Sequence, residues 1–434
     1  MLDIKFIREN IDLLKEIARH KNIDVDLAKL IKLDDQRRKA MQKIDELRAQ
    51  KNEFSKKIPS MKPAEKSEAL RQMKDVDIEQ NELEEKLKPI VEQYNEMMLQ
   101  VPQIIDERTP IGHDDSENAE ISRVGEVRKF NFLPKSHEQL GKDLDIIDFE
   151  RGVKVGGARS YILKGDGARL EAAILKYAVD FICRKGYTLM SVPVVVNKAS
   201  LTGTGYLPGA EDEIYRLKKD DKYLAGTSEV AIGGFHSNEV LGDIDLPKRY
   251  AGISVCFRRE AGAYGKDTHG LYRVHQFSKV EQFIICENGV EQTKKMFNEL
   301  LNNAEEFLQN LNIPYRIMNV CTGDMGKGKY YMNDIECWMP SRASTTLGTG
   351  SGYGETHSCS AFLDFQARRL NIRYKDKDGK IRFCHTLNNT VVATPRILIP
   401  ILENYQNADG SIDIPEALKP YMDHQDRIEK QQDK

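Results

Sequence analysis

The cysteines of this chain lack any spacing that would tie them together: Cys183, Cys256, Cys286, Cys321, Cys337, Cys359 and Cys384 are odd in number and never fall as C-x-x-C. That excludes a disulfide framework and a thiolate zinc site, and leaves buried free thiols in a reducing compartment. Long apolar runs are missing too. No stretch of about 18 apolar residues occurs, and the start, MLDIKFIREN, is charged from its third residue, so neither a membrane span nor a cleaved leader is expected. The protein is therefore expected to be soluble and cytoplasmic, with no membrane partner. Nor is there an excess charge of one sign: 65 Lys and Arg against 68 Asp and Glu give a formal net charge of -3. This balance excludes binding of nucleic acid by bulk positive charge, so any such contact must be local. Neither a G-x-x-x-x-G-K-[ST] loop nor a strand-linked G-x-G-x-x-G is present, which removes the support for a Rossmann-type fold.

What is there divides into two textures, and 434 residues suggest two or three domains. Leu30, Leu33, Arg37, Ala40, Ile44, Leu47, Lys51, Phe54 and Ile58 follow alternating steps of three and four, the seam of a coiled coil. Met73, Val76, Gln80, Leu83, Leu87, Ile90, Tyr94, Met97 and Val101 repeat the pattern. Pro59-Ser60-Met61-Lys62-Pro63 between them cannot continue a helix and suits a reversal, so an antiparallel helical hairpin is expected. Pro89 lies inside the second helix and predicts a kink or a break there. The first helix is basic and the second acidic, which helps the pair zip and leaves one basic edge. Arg37, Arg38, Lys43, Arg48 and Lys51 are its candidates for tracking a phosphate backbone. Taken alone, such a hairpin is better explained as a dimerisation or spacer arm, since charge runs on long helices are usually solvated faces.

Beyond Val101-Pro102 comes a polar, turn-rich connector, and from about residue 136 apolar β-type runs alternate with helical segments. Residues 1–103 are expected to form one domain and residues 104–434 another. The most informative stretch is Cys256 to Phe283, CFRREAGAYGKDTHGLYRVHQFSKVEQF. If Phe257 to Ala261 and Tyr272 to Phe283 are antiparallel strands, Gly262 to Gly270 is the loop between them. Alternation then puts Arg273, His275, Phe277, Lys279 and Glu281 on one face, a poor ordinary core. With Arg258 and Glu260 it offers two arginines, a ring and two carboxylates, a set that holds a triphosphate, stacks a purine and grips an ammonium group.

Further segments add chemistry. Leu201 to Pro208 and Gly226-Thr227-Ser228-Glu229 offer glycines for loop closure and acceptors for an α-ammonium. Glu355 and Ser358 present two oxygen ligands suited to one hard cation. Asn388 and Thr390 share a strand face, and Thr394-Pro395-Arg396 opens an apolar helix from Ile397 to Tyr405, where arginine adds to the positive end of the dipole. Each alone is as well explained by a turn, a cap or a solvated hairpin. Their joint order points to a nucleotide site.

The ordered set resembles the motifs of class II aminoacyl-tRNA synthetases, in the form of bacterial-type seryl-tRNA synthetases, over almost the full length. Leu170 to Gly186 with Tyr187 to Pro193 is similar to the first motif, Cys256 to Phe283 to the second and His385 to Gln406 to the third. The resemblance implies an α+β fold: an antiparallel-sheet catalytic domain preceded by an N-terminal α-helical coiled-coil arm that binds tRNA. It implies activation of L-serine with ATP, transfer to the 3′ end of tRNA(Ser), with tRNA(Sec) left open as a second acceptor, and a homodimer. By the same resemblance ATP is held by Arg258, Glu260, Arg273, Val274, Phe277, Glu355, Ser358 and Arg396. Arg258 then contacts the α-phosphate, Arg273 the outer phosphates and Arg396 the γ-phosphate, while Phe277 stacks on adenine. Arg258 and Arg396 carry the catalysis. Thr227, Glu229, Arg258, Glu281, Asn388 and Thr390 form the implied serine pocket, and Glu355 and Ser358 the Mg²⁺ site. Many members carry Gly-x-Gly where this chain has Asn389-Thr390-Val391. Two rival functions stay open: an activating enzyme that loads a carrier other than tRNA, and an RNA-binding or coiled-coil scaffold without catalysis.

Overall fold

A computed structural model of the chain describes residues 1–263, 269–343 and 351–430. The core of the expected loop Gly262 to Gly270 therefore lies outside the described residues. Two compact units emerge, Met1–Pro102 and Gln103–Lys434. Gln103 falls to the second unit because its backbone N–H donates to the Lys327 carbonyl at 2.9 Å and its side-chain amide to that of Phe362 at 3.0 Å. Among the described residues no helix is long and apolar enough to cross a membrane.

The first unit consists of helices α1 (Ile4–Glu9), α2 (Ile11–His20), α3 (Leu27–Lys57) and α4 (Pro63–Gln100). Asp26 starts α3 by accepting from the Lys29 N–H at 2.9 Å, which satisfies one orphan donor. A short 3₁₀ turn, Ile58–Ser60, ends it, and Pro63 starts α4, where its missing N–H costs nothing. The heptad seam is where the spacing put it: Leu30, Leu33, Ile44 and Leu47 are buried, and Met73, Val76, Leu83, Leu87 and Ile90 are half-buried. Contrary to expectation, α4 runs through Pro89 without a break. One lost backbone bond in a 38-residue helix is outweighed by the seam that continues on either side.

The basic residues of α3 are used differently from expectation. Arg48 pairs with Glu84 at 2.9 Å, Lys43 with Glu79 at 3.7 Å and Lys51 with Asp77, all across the hairpin. Arg37 lies over the Tyr94 ring, 4.6 Å from its centroid, and binds the buried Asp34 at 2.7 Å. Asp34 also receives Arg8 of α1 at 2.7 Å. Burial opposes its charge, but the two guanidiniums override that and hold its carboxyl below the ordinary range. Among the described residues, Arg38 alone of the five is exposed and outside these pairs.

The second unit is built on one eight-stranded sheet. Its strands in chain order are β1 (Ala119–Val124), β2 (Thr188–Ser191), β3 (Lys248–Phe257), β4 (Gln276–Cys286), β5 (Tyr315–Asn319), β6 (Tyr331–Trp338), β7 (Tyr353–Leu363) and β8 (His385–Thr394). Across the sheet they lie β1-β5-β6-β7-β8-β4-β3-β2, and every pairing is antiparallel except the last. Two amphipathic helices, α5 (Asp166–Arg184) and α6 (Val290–Asn310), join the sheet in one core. Leu170, Ile174 and Phe181 of α5 and Phe297, Leu300 and Phe307 of α6 pack there with Val280, Ile284, Leu387 and Val391. Gln282 and Asn389 each donate to the Leu300 carbonyl at 2.9 Å, so the buried amide N–H groups on that face find an acceptor. The alternate residues of β4 and β8 point to the opposite face. That face carries the cleft.

Candidate active site

A cavity of about 410 Å³ opens on the free face of the sheet. Period-2 alternation explains the part of its wall that the central strands supply. Phe277, Lys279 and Glu281 line it from β4, and Asn388 and Thr390 from β8. Glu281 stands opposite Thr390 in the antiparallel register, so one face brings the two together.

Glu355 and Ser358 are three residues apart, an odd step that puts two side chains on opposite faces of a regular strand. The register against β6 resolves this: Ile335 faces His357 while Glu336 faces Glu355, leaving Thr356 as the extra residue of a β-bulge. Both Glu355 and Ser358 then line the cavity. The pattern of types along the chain gives no sign of this bulge.

The arginines lie off the strands. β3 stops at Phe257 and β4 starts at Gln276, several residues inside the expected flanks, so Arg258, Glu260 and Arg273 belong to the connection. Glu260 has φ +54°, a left-handed conformation uncommon for a residue with a side chain. It binds Arg273 at 3.4 Å. Arg273 itself does not line the cavity, whereas Arg258, Glu260, Val274 and Arg396 do. Arg258 lies over the Phe277 ring, 5.3 Å from its centroid, and donates to the Gly226 carbonyl at 3.4 Å.

Arg396 precedes a helix of only seven residues, Leu398–Asn404, shorter than expected. What orients it is side-chain chemistry and not a helix dipole: Nε donates to the Tyr272 carbonyl at 3.0 Å, and Nη1 to the Glu355 carbonyl at 3.1 Å and carboxylate at 3.3 Å. Its guanidinium also stacks on the Tyr272 ring at 4.4 Å. Burial alone would push Glu355 up. Arg396, Arg258, Lys329 and Arg273 together outweigh it and hold the carboxylate below its usual range.

The inner end of the cavity is polar and closed. Glu229 begins helix α7 (Glu229–Phe235), is buried, and accepts from Gln366 at 2.6 Å and from the Tyr206 hydroxyl at 3.1 Å. Burial raises the proton affinity of both Glu229 and Glu281. Thr227 does not line the cavity but stands one layer behind, its hydroxyl receiving the Lys279 ammonium at 3.3 Å. Lys279 in turn forms an ion pair with Glu281.

Four ionisable groups in or behind this wall were left without a role by the sequence reading. Lys279 shares a strand face with Phe277 and Glu281, and that spacing was its signal. Lys327 and Lys329 alternate with glycines in Gly326-Lys327-Gly328-Lys329, a pattern that lets a loop bring two ammonium groups to one wall. Burial and Arg369 push Lys327 down to about 8. Asp334 sits on β6 opposite Ser358, and one of its carboxylate oxygens is buried without a hydrogen-bond partner. Burial and the neighbouring Glu355 raise its carboxyl well above the ordinary range. No single signal in its flanking residues marks it.

Among the described residues no group of three or more His, Cys, Asp and Glu could hold a metal alone. The donors that line the cavity are Glu355 and Ser358, both hard oxygen, with Asp334 beside Ser358 on the next strand. Such a set fits a cation that keeps waters and takes phosphate oxygens as its remaining ligands, the habit of Mg²⁺.

Comparison with known proteins agrees with this geometry. Residues 213–405 match the tRNA synthetase class II core domain (G, H, P, S and T), and residues 1–105 match the seryl-tRNA synthetase N-terminal domain. The chain is 42% identical over 422 residues to a serine–tRNA ligase of Deinococcus radiodurans, with 97% of each chain covered. To that of Nitrosopumilus maritimus it is 41% identical over 431 residues, covering 99% of this chain and 100% of the other. The crystal structure of seryl-tRNA synthetase from Pyrococcus horikoshii complexed with ATP matches with a TM-score of 0.89 at 35% identity over 100% of both chains.

Proposed function

The chain belongs to the seryl-tRNA synthetase family and is a class II serine–tRNA ligase, and we propose how its residues divide that work. The observation that carries the assignment is one cavity lined by Arg258, Phe277, Glu281, Glu355, Asn388, Thr390 and Arg396. ATP lies against the outer part, with adenine on Phe277, Val274 beside it, and Glu260 on the nucleotide. Arg258 is over that ring already, so the base enters by sharing or displacing the contact. Serine occupies the inner end, where Glu281 and Glu229 receive its α-ammonium, with Thr227 one layer behind them, and Asn388 and Thr390 receive its hydroxyl.

The serine carboxylate attacks the α-phosphorus in line, the bond to the bridging oxygen breaks, and pyrophosphate leaves with the electron pair. Arg258 neutralises charge on the α-phosphate while Arg396 holds the leaving group, and Arg273, outside the cavity wall and paired with Glu260, adds positive charge from behind. A ribose hydroxyl of the terminal adenosine then attacks the seryl carbonyl and AMP departs. No side-chain nucleophile is needed, so positioning and electrostatic preorganisation supply most of the rate gain. Mg²⁺, when bound, supplies charge neutralisation on the phosphates, and Glu355 and Ser358 would hold it. A hydroxyl-binding pocket rejects alanine because its polar groups would be left unpaired, and it excludes threonine by lack of room.

Residues 1–102 form the tRNA-binding domain and residues 103–434 the catalytic domain. The hairpin's cross-helix pairs are exposed, and such pairs are worth only about 0–1 kcal/mol. A phosphate therefore competes for Lys43, Arg48 and Lys51 on near-equal terms, and Arg38 is available without exchange. The acceptor is tRNA(Ser), with tRNA(Sec) a second substrate, and the enzyme works as a cytoplasmic homodimer. Arg258→Ala should abolish serine-dependent ATP–pyrophosphate exchange; near-normal exchange would overturn the assignment of the cavity.

A further inference from the structure

Lysine is seldom buried unless paired, yet Lys279 is 7% exposed at the closed end of the cavity, beside Glu281 at 2% and Glu229 at 4%. Two carboxylates and one ammonium leave this inner pocket one negative charge, which the α-ammonium of an entering amino acid would cancel. Without the lysine, two buried carboxylates would share the pocket, and one would take up a proton. Thr227 has a complementary constraint. Its hydroxyl oxygen has two lone pairs; one receives the Lys279 ammonium at 3.3 Å and the other the Glu229 backbone N–H at 3.3 Å. Only its own O–H remains to offer, so it is not free to accept from a substrate ammonium, as the sequence suggested.

We propose that Lys279 is a specificity-determining positioning residue: its ammonium, seated between Glu281 and the Thr227 hydroxyl behind it, is the fixed counter-charge of the α-ammonium site. This rests on the cavity's inner end being the amino acid site. Glu281 is faced by Lys279 on its own strand, Glu229 from α7, Arg258 beyond β3, Tyr206 from the preceding loop, Cys256 on β3 and Cys359 on β7. Of these, Arg258 is the one other cation, and it is engaged with the Phe277 ring.

The test uses the full chain as wild type, Lys279→Met and Lys279→Arg, with serine-dependent ATP–pyrophosphate exchange measured from pH 6.5 to 8.5. In Lys279→Met the KM for serine should rise about 30-fold or more at pH 7, the loss of a charge-assisted contact. It should fall back as pH rises and Glu281 ionises, with the KM for ATP within about twofold of wild type. Lys279→Arg should recover most of the loss. An unchanged serine KM, a loss flat in pH, or parallel rises for serine and ATP would each overturn the proposal. ATP protection against thermal unfolding reports whether the variant folds. If Lys279→Met does not, Thr227→Val must weaken serine and Lys279→Arg must keep the wild-type pH profile, and failure of either is equally decisive. A wild-type enzyme that activates another amino acid instead would refute the serine assignment, while the same KM shift measured with that amino acid would leave the role of Lys279 standing.

Discussion

Adding one methyl group at Gly252 should damage serine binding while sparing ATP. Gly252 lies on β3 directly opposite Glu281, and α7 begins against it. A Cβ there would stand 2.5 Å from Ser228 Oγ, 2.6 Å from Ile232 Cδ1 and 2.7 Å from Ser228 Cβ. The worst of these is about 0.9 Å inside ordinary contact at 3.4 Å. Rotating the Ser228 hydroxyl, which now donates to the Gly252 carbonyl at 3.4 Å, relieves only the first of the three. The start of α7 must therefore shift by several tenths of an ångström and carry Thr227 and Glu229 with it. Overpacking of this kind costs about 1–3 kcal/mol of stability, and misplacement approaching 1 Å costs about 10²-fold in rate. We expect Gly252→Ala to lose 1–2 decades in kcat/KM for serine, with the KM for ATP within about twofold, in pyrophosphate exchange read beside urea unfolding. Gly226→Ala is the control: its Cβ would meet nothing nearer than the Phe257 carbonyl at 3.4 Å, so its unfolding midpoint should hardly move. Wild-type serine kinetics and an unchanged midpoint in Gly252→Ala would refute the packing account.

Glu355→Gln should raise the Mg²⁺ concentration needed for half-maximal exchange at least tenfold, and a variant with an unchanged Mg²⁺ titration would remove Glu355 from the cation site. Deleting 27–101 should leave serine-dependent exchange within a few-fold and abolish charging of tRNA; retention of both would favour a non-tRNA acceptor. His385 is buried beside Thr293 and desolvation pushes it down to about 4. Between its unfolded value near 6.5 and that value the unfolded chain holds a proton that the native chain does not, so stability falls as pH falls through this window, by on the order of 3 kcal/mol. Urea midpoints of wild type and His385→Asn should converge toward pH 4, and equal slopes for both would exclude His385 as the source.

The seam of the hairpin and the face Phe277-Lys279-Glu281 were legible because each depends on a short period that one residue's neighbours enforce. The bulge at Thr356 was not, since it is set by pairing with β6, about 20 residues away in sequence. The same holds for Asp334, whose character comes from burial beside Glu355 and not from its own neighbours. Opposed charge on α3 and α4 showed that the helices would zip but not which residues would pair and which would stay on the basic edge; Glu79, Glu84 and Asp77 become the partners of Lys43, Arg48 and Lys51 only once the hairpin closes. Strand ends were overestimated at Arg258 and Arg273 because alternation continues in the sequence after the hydrogen-bonded ladder has stopped.

That difference in strand length separates the two halves of the proposed chemistry. Glu281, Asn388 and Thr390 project from the central strands β4 and β8, each paired on both sides, so their positions are fixed by the sheet. Arg258, Glu260, Arg273 and Arg396 sit on connections, held by side-chain contacts to carbonyls, rings and one another and not by a strand ladder. A site on strands is positioned more rigidly than one on loops, which suits a pocket that must reject threonine by a methyl group. Phosphates exchange geometry during the reaction, and a clamp on connecting segments can follow them. Substitutions that strain the sheet should therefore appear first in the KM for serine, and substitutions in the two connections first in the KM for ATP; a sheet variant that impaired ATP alone would contradict this division.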